Sequence, residues 1–148
     1  MSSVKLTGIA SELTRAQQFL AQWWADNHLS DVERFPFELA LEELFINVAS
    51  YGQDETGAPC RVELALACKE SQTAADGESR EGMVCLVIRD NAPAFDPVAL
   101  QTPDLEGAVQ IRDIGGLGIH LTRSVMDTID YEYKDGRNQV SVAKKIGV

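Results

Sequence analysis

The segment ALEELFINVASYG, residues 40–52, is the apolar stretch from which the fold of the rest of the chain can be predicted. With 3.6 residues per turn, its large apolar side chains fall on one arc, as is typical of a helix that buries one face. Glu43 and Asn47 lie one turn apart on another arc and share a face. A carboxylate can orient a hydroxyl, and an amide oxygen can bind Mg²⁺. Taken alone, the pair is better explained as a surface contact with one weak hydrogen bond.

The sequence on both sides of this segment predicts an α+β domain. Ser11 is a suitable N-cap for the first helix, and the adjacent Trp23 and Trp24 cannot both face its core side equally, so one is expected to be half-exposed. Asp135-Gly136 is a hairpin turn signal. The predicted elements, in order, are a strand at 3–9, helices at 11–27 and about 36–51, strands at 60–68 and 83–90, a helix at 116–127 and a hairpin at 129–146. This order predicts an α/β sandwich (α+β) over residues 1–148, with a mostly antiparallel mixed sheet and helices on one face.

The composition and charge of the whole chain exclude some classes of function. The chain has 148 residues and a net charge of −10, so it lacks the basic surplus of a nucleic-acid binder. No apolar run is long enough to span a bilayer, and no signal peptide is visible. The three cysteines form no C-x-x-C pair, which is typical of reduced thiols in an intracellular protein. These features predict a cytoplasmic protein that binds neither nucleic acid nor membrane.

A second segment with chemical potential is RDNAPAFDP, residues 89–97. Asp90 ends a nearly continuous apolar run that is typical of a central strand. Its carboxylate could accept a hydrogen bond from an exocyclic amine, and the small Ala92 would let a flat ring approach the backbone closely. Asp, Asn and Pro also favour ordinary turns, and for this segment alone a turn is the simpler explanation.

The third segment is IGGLGIHLTRSVMD, residues 114–127. Gly115, Gly116 and Gly118 precede an apolar helix, where exposed backbone amides and the helix dipole can attract an anion. The segment is not a P-loop, because no G-K-[ST] follows, and no parallel strand leads into it as in a Rossmann fold. By itself it could equally be a flexible loop that closes onto a helix.

Taken together, the three segments resemble the motifs of one family. LALEELFINV, IRDNAPAFDP and GGLGIHLTRSVMD are similar, in this order, to the conserved motifs of the Bergerat-fold (GHKL) ATPases. Within that superfamily the chain most resembles the bacterial anti-sigma-factor serine/threonine kinases, over nearly its whole length. The resemblance implies a Bergerat ATP-binding fold with ATP and Mg²⁺ as cofactors.

The resemblance also implies roles for individual residues. Asn47 matches the Mg²⁺ ligand, Glu43 the carboxylate that positions or deprotonates the attacking hydroxyl, and Asp90 the carboxylate that binds the adenine amino group. Residues 96–118 match a mobile lid over ATP. The remaining residues implied in ATP binding are Ala92, Phe95, Gly115, Gly116, Leu117, Gly118, Ile119 and Ser141. The chain departs from the family at Ala92, where glycine is usual, and at Ser50-Tyr51-Gly52, where many members have His-Ala.

As an enzyme, such a chain would transfer the γ-phosphate of ATP to a serine of a small antagonist protein and sequester a sigma factor. Its relatives often form homodimers through the first strand and helix. One alternative is a nucleotide-switched module that binds a partner with little or no kinase activity. Another is the detached catalytic half of a histidine kinase, which is disfavoured because no phospho-accepting helical hairpin precedes the predicted domain.

Overall fold

The computed structural model describes residues 1–54, 56–70, 81–99 and 116–147. Short 3₁₀ turns occur at Ala10–Glu12, Asp31–Glu33 and Pro97–Ala99. The helices and strands are β1 (Ser2–Thr7), α1 (Leu13–Asp26), α2 (Phe35–Tyr51), β2 (Arg61–Glu70), β3 (Glu81–Asp90), α3 (Gly116–Val125), β4 (Thr128–Lys134) and β5 (Arg137–Gly147). This is the element order predicted from the sequence. Most of the segment between the predicted strands at 60–68 and 83–90, and most of the predicted lid, lies outside the described residues.

The five described strands form one sheet in the order β1-β2-β3-β5-β4. Every pairing among them is antiparallel, so the predicted α+β sandwich is confirmed, although the described sheet is not mixed. The apolar strand β3 lies at the centre and pairs along its length with β2 and β5. The β4–β5 hairpin turns at Asp135 and Gly136, both with positive φ, as a two-residue turn requires. This pairing places Asp90, at the end of β3, opposite Asn138 of β5.

The core lies between the sheet and the helices. Its fully buried large side chains come from α1, α2, α3 and the three central strands: Leu20, Trp24, Phe37, Leu41, Phe45, Leu64, Leu66, Val84, Leu86, Ile88, Ile119 and Val142. The helices therefore cover one face of the sheet, as the apolar arc of α2 predicts. The opposite face, where residues such as Arg89 and Gln139 lie, is covered by none of the described helices.

The expectation that one tryptophan is half-exposed was wrong. Trp23 and Trp24 are both buried, at 7% and 0% exposure, and their rings pack edge to face with centroids 6.1 Å apart. The chain after α1 folds back, and the Trp24 indole N–H donates to the carbonyl of Ser30 at 2.9 Å. The buried Leu29 lies in the same returning segment. This contact between Trp24 and the segment after α1 cannot be derived from the helical period of α1 alone.

The predicted helix starts are less accurate than the predicted helices. Ser11 lies inside the 3₁₀ turn that precedes α1, and it does not cap the helix. Pro36 lies in the first turn of α2, where a missing N–H costs nothing. At the other end, α2 ends at Tyr51, as the predicted range has it, and the N–H of the following Gly52 donates to the carbonyl of Val48 at 2.8 Å.

Two further predictions concern cysteines and membranes. Cys60, Cys68 and Cys85 form no disulfide bond in the described part of the chain. Burial is the main reason that the pKa of Cys60 rises to about 11, which keeps its thiol protonated and unreactive at neutral pH. In the described part of the chain, no helix is both long and apolar enough to cross a membrane.

Substituting Gly52 by alanine should destabilise the fold next to the cavity described below. A Cβ at this position would lie 2.7 Å from the Val48 carbonyl oxygen and 3.2 Å from the Cys60 sulfur. Because the nearest atom belongs to the helix backbone, the chain must shift, and overpacking of this kind costs about 1–3 kcal/mol. Chemical denaturation would measure the loss. Gly147→Ala is the matched control, because its Cβ would meet nothing within 4 Å. Equal stability of the two variants would contradict the close packing at Gly52.

Candidate functional site

A cavity of about 400 Å³ lies between α2 and the ends of β3 and β5. Leu44, Ile88 and Val140 provide apolar walls. Asn47 reaches the cavity from α2, whereas Asp90 reaches it from the sheet. Small-molecule sites commonly have this size and this mixture of apolar walls with a few polar groups. The sequence segments at 40–52 and 89–97, which are far apart in the chain, therefore line one site.

Asp90 is the buried carboxylate at this site, with 7% of its surface exposed. Its Oδ1 accepts hydrogen bonds from the backbone N–H of Ala92 and from Nδ2 of Asn138, both at 3.0 Å. Burial raises the pKa of the carboxyl, while these two hydrogen bonds act in the opposite direction. Its Oδ2 accepts no hydrogen bond from any residue that the structure describes. That oxygen is available to a donor on a ligand.

The turn after β3 is held by the same groups. Ala92 donates its N–H to Asp90 and accepts from Asn138 through its carbonyl. Ala92 is not among the residues with positive φ, so alanine adopts this turn without the strain that would require glycine. Phe95 lies at the cavity with 52% of its surface exposed, and its backbone N–H donates to Asn138 Oδ1 at 2.9 Å. A flat ring can therefore approach this turn between Ala92 and Phe95.

On α2, only one of the two residues predicted to share a helix face, Glu43 and Asn47, lines the cavity. The side chain of Asn47 lines the cavity and makes no hydrogen bond within the described ranges. Glu43 lies one turn earlier, is half-buried, and does not line the cavity. Burial is the main cause that raises the pKa of Glu43, and the charge of Glu42 adds to it. Glu38 and Glu42, on the same helix, are exposed.

The glycine segment forms the start of α3. Gly116 and Gly118 lie in its first turn with Leu117 between them, whereas Gly115 lies outside the described residues. The side chain of Ile119 is 2% exposed and belongs to the core, so only its main chain could meet a ligand. The helix packs against α2. Its Arg123 guanidinium donates to the carbonyl of Val98, in the 3₁₀ turn that follows the cavity.

Comparison with known proteins identifies the family of the chain. The sequence model of the histidine kinase-like ATPase domain matches residues 9–144. The chain belongs to this family. It is also similar to the serine/threonine-protein kinase BtrW of Bordetella bronchiseptica, with 29% identity over 140 residues, which cover 95% of this chain and 90% of that protein. Membership of the histidine kinase-like ATPase family implies ATP binding and a kinase-like function, and the resemblance found in the sequence is confirmed.

Within this histidine kinase-like ATPase domain, the cavity also contains residues that the motifs did not indicate. Asn138 and Val140 of β5 line it, whereas Ser141 does not. Side chains alternate along a strand, so Ser141 points to the face opposite its buried neighbours Val140 and Val142. The alternation of buried apolar residues along β5 could have indicated that Asn138, and not Ser141, faces the cavity. Tyr51 also lines the cavity, at the position where the sequence departs from the family.

Proposed function

We propose that the chain is an ATP- and Mg²⁺-dependent serine/threonine protein kinase of the anti-sigma-factor type. It would phosphorylate a serine on a small antagonist protein and would also sequester a sigma factor. The observation that carries the proposal is the pairing of polar groups at one cavity: a carboxylate oxygen of Asp90 without a partner among the described residues, and the amide of Asn47. The similarity to a serine/threonine-protein kinase supports the choice of acceptor.

The proposed adenine end of the site is the turn after β3. A carboxylate that accepts only at Oδ1 from its own chain can accept the adenine amino group at Oδ2. The side chain of Ala92 ends at Cβ and so leaves room for a flat ring. Phe95 provides an exposed aromatic ring beside it. The apolar walls formed by Leu44, Ile88 and Val140 suit the faces of a purine.

The proposed metal position is Asn47. Magnesium prefers oxygen ligands and keeps several of its waters, so one protein oxygen combined with nucleotide phosphates is a usual arrangement. In the part of the chain covered by the structure, no three His, Cys, Asp or Glu side chains are close enough to form a metal cage. The residues present therefore fit a cation that binds together with ATP. The metal would neutralise phosphate charge during transfer.

The remaining roles complete the proposal. Glu43 would position or deprotonate the acceptor hydroxyl, since it lies one helical turn from Asn47. The backbone at Gly115, Gly116, Leu117, Gly118 and Ile119 would lie around the phosphates. Residues 1–148 would form a single domain, with residues 96–118 as the lid over ATP. The protein would act in the cytoplasm and pair with a second copy through β1 and α1.

One observation favours the alternative, a nucleotide-switched binding module with little chemistry. Glu43 does not line the cavity formed by the described residues, whereas Asn47 and Asp90 do. A protein that only bound nucleotide would need these two residues and would not need Glu43. The two functions therefore differ in whether phosphate leaves the nucleotide.

The decisive experiment follows the terminal phosphate. The purified chain would be incubated with γ-labelled ATP, Mg²⁺ and the proteins that it retains from a bacterial extract. Label on a serine of a small retained protein is the result expected for the kinase. ATP binding without transfer to any retained protein would contradict the kinase proposal and support the switched module.

Substituting Asn47 by alanine should remove most of the Mg²⁺ dependence of ATP binding. Loss of even an indirect metal partner typically costs about ten- to a hundredfold in affinity, and we expect a loss of this order for ATP in the presence of Mg²⁺. Calorimetric titrations with and without Mg²⁺ would measure it. Ser50→Ala is the control, because Ser50 is exposed on the same helix and does not line the cavity. An unchanged Mg²⁺ dependence in Asn47→Ala would exclude Asn47 as the ligand.

A further inference from the structure

We infer that Asn138 is a positioning residue that makes the free oxygen of Asp90 a hydrogen-bond acceptor and thereby gives the cavity its preference for a 6-amino purine over a 6-oxo purine. The inference rests on the proposed nucleotide site and adds a determinant of its base specificity. Asn138 is outside all three sequence segments that indicate ATP binding.

Asn138 is the centre of a buried hydrogen-bond network. It is 4% exposed and lies opposite Asp90 in the β3–β5 pairing. Its Nδ2 donates to Asp90 Oδ1 at 3.0 Å and to the carbonyls of Ala92 and Pro93, both at 3.1 Å. Its Oδ1 accepts from the backbone N–H of Phe95 at 2.9 Å and from the Tyr131 hydroxyl. One side chain thus joins the carboxylate to the whole turn that follows it.

The orientation of the Asn138 amide is determined by its neighbours. A backbone N–H can only donate, so the N–H of Phe95 requires an oxygen at the Oδ1 position. On the other side, the carbonyls of Ala92 and Pro93 can only accept, so they require the amino group there. Rotating the amide by 180° would bring two donors together at the Phe95 N–H. It would also bring two acceptors together at each of the carbonyls of Ala92 and Pro93. Asn138 must therefore present a donor to Asp90.

This fixed donor determines what Asp90 offers to a ligand. Oδ1 already faces two donors, Asn138 Nδ2 and the Ala92 N–H. Hydrogen bonds donated to a carboxylate favour its ionised form, so these two donors oppose protonation of Asp90 at either oxygen. The ionised carboxylate then presents Oδ2 as an acceptor toward the cavity. A purine with a 6-amino group donates to it, whereas a 6-oxo group in the same place would bring two acceptors together.

The test compares two nucleotides that differ at this position. ATP and inosine triphosphate, which carries a 6-oxo group, would be titrated by calorimetry into the wild-type chain, Asn138→Ala and Asn138→Asp. We expect the wild type to prefer ATP, Asn138→Ala to reduce this preference about tenfold, and Asn138→Asp to reduce it further, because it replaces the donor by an acceptor. The ratio of the two affinities is the informative quantity, since a merely structural loss would weaken both nucleotides equally.

Controls separate the possible failures. Gln139→Ala changes the next residue of β5, which bonds Arg89 on the opposite face, and should leave the ratio unchanged. If the Asn138 variants do not fold, Tyr131→Phe removes one donor to the same amide and should lower the ratio about threefold. A wild-type chain that binds neither nucleotide would overturn the proposed function and this inference with it. ATP binding with an unchanged ratio in every folded variant would overturn the role of Asn138 alone.

Discussion

Replacing Glu43 by glutamine is expected to slow phosphoryl transfer to a partner serine by about 10²–10⁴-fold, the usual contribution of a general base. ATP binding should stay within about twofold of the wild type, because Glu43 does not line the cavity. Glutamine keeps the size and polarity of the side chain and removes only its ability to take a proton. Transfer of label and calorimetric binding, measured on the same preparation, would separate the two effects. Equal transfer by the variant and the wild type would remove Glu43 from the mechanism.

The neighbouring carboxylate provides the matched control for that experiment. Glu42 is exposed, and its charge raises the pKa of Glu43 in addition to the effect of burial. A base must be ionised to act, so transfer should fall as the pH drops through the raised pKa of Glu43. Glu42→Gln should keep the maximal rate of transfer and move this acid limb to lower pH. A limb that does not move would show that another group titrates.

Replacing Asp90 by asparagine is expected to weaken ATP binding on the order of a hundredfold, as is typical when a hydrogen bond to a charged group is lost. The donors at Asn138 Nδ2 and the Ala92 N–H require the new amide to place its oxygen toward them. Its amino group must then face the cavity, where it opposes the adenine amino group. Calorimetry with ATP measures the loss. Asp130→Asn is the control, since Asp130 is exposed on the edge strand β4 and does not line the cavity. Unaltered affinity in Asp90→Asn would place the base elsewhere.

The same substitution should change the pH dependence of stability. Burial raises the folded-state pKa of Asp90, so the folded chain holds the proton more tightly than the unfolded chain. The stabilising contribution of Asp90 is therefore complete below its unfolded pKa, near 3.9, and is lost as pH rises through the folded pKa. Without nucleotide, Asp90→Asn should gain in Tm relative to the wild type between pH 4 and pH 7. A constant difference across this range would contradict the raised pKa.

Much of the fold could be predicted because its determinants are local. The apolar run before Asp90 indicated a central strand, and β3 is hydrogen-bonded on both sides. Asp135-Gly136 indicated the hairpin turn, and both residues have the positive φ that it requires. The arc of apolar residues on α2 indicated a helix that buries one face, and Phe37, Leu41 and Phe45 are fully buried. Each of these signals lies within one turn or one strand.

What could not be predicted depends on residues that are distant in the sequence. The bond between Asn138 and Asp90 joins positions 48 residues apart, and no periodicity within either strand contains it. Ser141 was expected near the base because the serine lies in the correct strand, but its side chain alternates to the other face. Trp24 donates to Ser30 in the connection that follows α1, and the Trp23 ring packs against Trp24. These features follow from tertiary packing, which local propensity does not encode.

The pairing of β3 with β5 makes the nucleotide site a consequence of strand register. Along both strands the residue that precedes each site residue lies on the opposite face: Arg89 before Asp90, and Arg137 before Asn138. A slip of one residue would leave the hydrogen-bonded ladder almost complete, yet it would turn an entire face of the strand over. The hydrophobic core penalises that slip, because it would expose the buried residues of whichever strand moved, such as Ile88 in β3 or Val140 in β5. The apolar residues that drive folding therefore also select the strand register that the site requires. In a chain that has buried its core, Asp90 and Asn138 are already aligned for the proposed nucleotide contacts.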